Sequence, residues 1–93
     1  MTKMRRSETD QEAAFKQAAT IRAMIGDLQR TVQFLSMDIF VEEERVSVFE
    51  RSDPAYPILA RSLAARRDTL NYTIAFLAKH LHAITMAATA EAA

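Results

Sequence analysis

From Ile21 to Phe49, apolar side chains recur at alternating spacings of four and three: Ile21, Ile25, Leu28, Val32, Leu35, Ile39, Val46 and Phe49, with Glu42 standing where one more is due. That alternation returns successive side chains to one stripe of an α-helix, so the pattern predicts a long amphipathic helix with a heptad seam. A second seam of the same period runs through Leu63, Arg67, Leu70, Ile74, Leu77, Leu81, Ile84 and Ala88, with Arg67 its single polar member. Each seam therefore has one charged interruption, an acid in the first and a base in the second.

Between the seams, Ser52-Asp53-Pro54-Ala55-Tyr56-Pro57 is the only concentrated stop signal. Asp53 suits an N-cap and Pro54 a first helical position, where the missing amide has no partner to lose; Pro57 delays a regular helix. Near the start, Thr9-Asp10-Gln11-Glu12 has the form of a capping box, and acids at 8, 10 and 12 complement the positive end of a helix dipole. The expectation is an all-α chain: an antiparallel two-helix hairpin with helix 1 over about 8–51 and helix 2 over about 54–88. Residues 8–88 form the single helical-hairpin domain, with a flexible tail at 1–7 and a frayed one at 89–93. Gly26 is the only glycine; it falls near Ala19 and Ala23 on the wheel, a row of small side chains suited to close approach by another helix.

A turn centred on Pro54 and Ala55 brings together residues whose numbers add to about 109, which makes every layer of the hairpin apolar on both sides. Glu42 and Arg67 meet that condition, so they are expected to face one another as a register ion pair. Loss of either partner would leave a charge partly desolvated, a larger cost than at a surface pair, whereas replacing both with apolar residues could stabilise the fold.

At roughly 100° per residue, Phe34, Met37, Val41 and Val48 gather on the side of helix 1 away from its seam, and Ile58, Ala65, Thr69, Tyr72, Phe76 and Ala83 do the same on helix 2. A lone hairpin buries one face of each helix and leaves the other as a contiguous apolar patch, which soluble monomers seldom carry. A second copy is the simplest cover, giving a homodimeric four-helix bundle with Phe34, Met37, Val41, Val48, Tyr72 and Phe76 as interface. A different helical protein on the same face is the alternative partner.

Composition narrows the function classes. Twelve basic and twelve acidic residues give a formal net charge of +0, which argues against broad attraction to nucleic acid or an anionic membrane. No apolar run reaches the roughly 20 residues of a membrane-spanning helix. The basic start, Lys3, Arg5 and Arg6, is followed by polar Ser7 to Glu12 rather than the apolar core of a signal peptide, so a cytoplasmic location is expected. The excess of arginine over lysine beside abundant alanine has the look of a bacterial chain. No cysteine is present to form a disulfide or a thiolate site.

Candidate chemistry is sparse. His80 and His82 lie two apart, about 200° around a helix, and cannot share one metal ion. No Glu-x-x-His occurs, and no glycine-rich loop or catalytic triad is visible, so no catalytic, metal or cofactor-binding residue is assigned. In length and hairpin form the chain is similar to the proteins secreted by type VII systems, whose turn carries Trp-x-Gly; this chain has no tryptophan. Its size and expected dimeric habit are similar to those of short all-helical chorismate mutases, with Arg22, Arg30 and Arg67 as loose counterparts of their arginines, but their lysine, glutamate and glutamine positions are unmatched. Phasins and structural coiled-coil adaptors share the periodicity and no motif. The expected function is a non-enzymatic helical interaction or regulatory module. The alternative is a small dimeric enzyme or anionic-ligand-binding protein with arginines lining a cleft between chains.

Overall fold

The computed structural model describes the backbone of residues 2–92 and the side chains of residues 8–90. Two α-helices account for nearly all of it, α1 over Thr2–Val46 and α2 over Ile58–Ala92, and they pack against each other. Both differ from the expected bounds of 8–51 and 54–88. The capping box at Thr9 does not begin α1, because the helix-compatible residues before it carry the helix back to Thr2. Met1 and Ala93, at the ends of the two expected tails, lie outside the described residues.

The early end of α1 has a local cause. Ser47 takes a left-handed backbone conformation with φ of 59°. The Ser47 amide then donates to the Glu44 carbonyl and the Val48 amide to the Glu43 carbonyl, each at 3.2 Å. These are the two bonds of a Schellman cap, which satisfies carbonyls that the helix leaves open. The apolar side chain expected just after such a cap is Val48, which packs on the core formed by Ile39, Tyr56, Ala60 and Ala64. Phe49, reckoned the last seam residue, falls beyond the helix and is exposed.

At the other end of the connection, Asp53 and Pro54 belong to a turn rather than to α2. The Tyr56 amide donates to the Asp53 carbonyl at 3.0 Å, and the Ala55 amide donates to Asp53 Oδ1 at 2.8 Å. Asp53 thus closes the turn with both its backbone and its side chain. A helix begun at Pro54 would need the residue 57 amide to bond the Asp53 carbonyl, and Pro57 has none. The first helical bond is instead Arg61 N–H to the Pro57 carbonyl, at 3.0 Å.

The chain divides into two compact units, Asp27–Ile74 and Met1–Gly26 with Ala75–Ala93. In Asp27–Ile74 the chain reverses through the connection, and the buried cluster of Ile39, Tyr56, Ala60 and Ala64, with Val48 and Leu63 against it, is the core. Its seam residues Leu28, Val32, Leu35, Ile39, Leu63, Leu70 and Ile74 are buried or half-buried, as the two patterns require. In the other unit Ala18 and Ile21 are buried on α1, and Leu77, Leu81, Ile84 and Ala88 are half-buried on α2.

Candidate interaction surface

The polar side chains that cross between helices in Asp27–Ile74 reveal the register. Tyr56 is 4% exposed, and its phenol donates to Glu43 Oε2 at 2.9 Å. Arg67 Nη1 donates to Ser36 Oγ at 3.2 Å. Tyr56 belongs to the connection, but Ser36 and Arg67 are both in helices, and their numbers add to 103 against the expected 109 or so. The difference is about one heptad, which is why every apolar position keeps its phase while the partners change.

This slip overturns the expected Glu42–Arg67 ion pair. Glu42 is half-buried and accepts from Arg45 of its own helix, at 2.9 Å from Nη2 and 3.3 Å from Nε. The bond to Glu42, followed by its charge, holds the Arg45 guanidinium above its ordinary pKa. The physical reason for the slip lies in the connection: α1 stops at Val46 and α2 starts at Ile58, so the turn is longer and centred earlier than the two-proline signal implies.

Tyr56 is the residue that sequence reasoning passes over. Grouped with the turn residues, it is instead the plug of the core. Arg61 lies over its ring, 5.4 Å from the centroid, and small side chains at Ala60 and Ala64 leave the space it fills. Burial first, and then the bond to Glu43, raise the phenol above its usual pKa of 10.0. The one available signal was an aromatic between two prolines, where a solvated turn has no use for a large ring.

The expected interface residues divide. Phe34 is 67% exposed, Met37 63% and Val41 61%, and they form one stripe of α1. Tyr72 on α2 is 79% exposed, and Ile58, further back on the same stripe, is more exposed still. Phe76, in the other unit, is exposed too. Val48 does not belong with them, because it lies past the Schellman cap and packs inward. Phe40 adds a further exposed ring on α1, about 120° round from Phe34.

Polar residues flank the α1 stripe on both sides, with the exposed ring of Phe40 among them on one. Asp27, Asp38 and Arg45 lie on one side, Gln29 and Ser36 on the other, and all but half-buried Ser36 are exposed. Arg30 and Glu44 lie on the stripe itself, at its two ends. Arg30 bonds the Asp27 carboxylate one turn back.

Within Met1–Gly26 with Ala75–Ala93, a hollow lined by Phe15, Ala18, Arg22, Ile84 and Ala88 measures about 220 Å³, below the roughly 300–1,000 Å³ of small-molecule sites. A second hollow, in Asp27–Ile74, is open and lined by Asp38, Val41, Glu42, Leu59 and Leu63. Arg67 lines neither. His80 and His82 are both exposed. Among the described residues, no three histidine, aspartate or glutamate side chains gather as metal ligands, and no helix is long and apolar enough to cross a membrane. No family model, curated protein or solved structure matches the chain.

Proposed function

We propose that this chain is a non-enzymatic helical interaction module whose working form is a homodimer of four helices. The observation that carries the reading is the stripe of Phe34, Met37 and Val41, each more than half exposed on the side of α1 away from its packed seam. Three large apolar side chains on consecutive turns of one helix form a patch that water disfavours by about 25 cal/mol for each Å² left uncovered. Covering it with another helix is the simplest gain open to the chain.

The arginine-lined cleft draws less support. Of its three arginines, Arg22 lines the small hollow beside Phe15 and Ile84, but Arg67 is engaged by Ser36, Arg30 is paired with Asp27, and neither of these two lines a hollow. Sedimentation equilibrium of the full chain tests the reading directly. A reversible dimer at micromolar concentration is expected, and a monomer that stays folded up to millimolar concentration would overturn it.

A further inference from the structure

Resting on the homodimer reading, we infer that two copies join through α1 alone, running antiparallel across a twofold axis at Met37. The stripe reads Arg30, Phe34, Met37, Val41, Glu44, with spacings of four, three, four and three and a base and an acid at opposite ends. Turned end for end about Met37, its two charged ends answer each other. An antiparallel copy centred on Met37 sets Arg30 against the partner's Glu44, Met37 against itself, and Phe34 level with the partner's Phe40 and one residue from the partner's Val41, and the twofold axis repeats each contact. A parallel copy would set arginine on arginine and glutamate on glutamate, so the charges choose the direction as well as the partner.

The geometry of α1 permits this contact. It is regular helix from residue 30 to 44, and Phe34, Met37 and Val41 are free of the core. The side chain of Arg30 is held only by an exposed pair with Asp27, a kind of contact that contributes little and exchanges readily. The corresponding stripe of α2 within the same unit, Ile58, Ala65, Thr69 and Tyr72, has no acid at one end answered by a base at the other. Because the α1 stripe lies opposite the seam, the second copy extends the helix layer outward from α1 rather than closing a square bundle.

Charge reversal tests the pairing in the full chain. Glu44→Arg alone and Arg30→Glu alone are each expected to weaken the dimer about tenfold or more, and the double variant to return its Kd to within about threefold of the parent. Phe34→Asp should leave folded monomer, with helicity by circular dichroism as the check on folding. Since the chain has no cysteine, Met37→Cys places a single thiol on the axis, and a short bifunctional thiol reagent should link it to its copy faster than it links Tyr72→Cys. A dimer indifferent to both single reversals and to Phe34→Asp, or a double variant no tighter than the singles, overturns the α1 pairing while leaving the homodimer in place. A parent chain that is monomeric throughout overturns both readings at once.

Discussion

Asp27–Ile74 and Met1–Gly26 with Ala75–Ala93 are cut from the same two helices and share the same seams, yet they are fastened by different means. In the first, side chains far apart in sequence meet through specific bonds: Tyr56 to Glu43, Arg67 to Ser36, and Arg51 to Asp68 at 3.2 Å. In the second, the buried positions are Ala18 and Ile21, and the threonine hydroxyls of 20, 85 and 89, like those of 31, 69 and 73 in the first, turn back to carbonyls four residues earlier on their own helix. Apolar seams of one period fit together at any slip of seven residues, so they set phase without setting register. Register comes from polar side chains, Arg67 at the polar break in the second seam among them.

Removing the turn's aromatic plug should separate the two units most. Tyr56→Ala leaves a cavity between Ile39, Ala60 and Ala64 and strips Glu43 of its donor, a loss of about 3–5 kcal/mol by analogy with aromatic truncations in other cores. Chemical denaturation followed by circular dichroism gives the total. Amide hydrogen exchange locates it: protection should fall first and furthest in Asp27–Ile74. A uniform loss of protection across both units would erase the distinction between them.

A gentler change isolates the polar half of the same contact. Tyr56→Phe keeps the ring and deletes the bond to Glu43, for an expected loss of about 1 kcal/mol at neutral pH. The pH dependence is more telling. Because folding raises the phenol's pKa, the folded chain holds that proton more tightly than the unfolded chain. The resulting stability is complete below pH 10 and falls as pH rises through the folded value. Denaturation midpoints of the parent should decline above pH 10, and those of the Phe variant should lack the part of that decline due to residue 56. Equal slopes in the two proteins would show that the phenol stays as ionisable as in water.

How much of this the sequence discloses follows from the same division. Both helices and the face each buries were legible, since Leu35, Ile39, Leu63 and Leu70 repeat at a period only a helix uses. So was the exposed stripe at Phe34, Met37 and Val41, which the same wheel sets apart from the seam. Register was not legible. The coincidence of Glu42 with Arg67 rested on a turn centred on Pro54 and Ala55, and Ser47 had already ended α1 seven residues before that proline. A left-handed cap is announced when glycine occupies it and silent when serine does. Tyr56 was hidden for a related reason: its two neighbouring prolines mark it as turn, and nothing local shows that the turn folds inward.

The smallest effect expected concerns that silent cap, and it has the opposite sign. Ser47 carries a β-carbon at φ of 59°, a conformation that disfavours every residue but glycine, with asparagine and aspartate the mildest exceptions. Ser47→Gly relieves the β-carbon's clash in the folded state and adds freedom to the unfolded chain, and the balance at helix C-caps favours glycine by about 0.5–1 kcal/mol. Both bonds of the cap use backbone atoms, from the Ser47 and Val48 amides, so the substitution leaves them in place. Thermal unfolding of the Gly variant should therefore shift upward by a few degrees while the dimer constant stays unchanged, the cap being separate from the α1 stripe. A variant of lower stability would mean that the cap bonds and the packing of Val48, rather than the backbone preference of residue 47, decide where α1 stops. The early stop, and with it the heptad slip, would then be set by the Tyr56 core drawing Val48 inward.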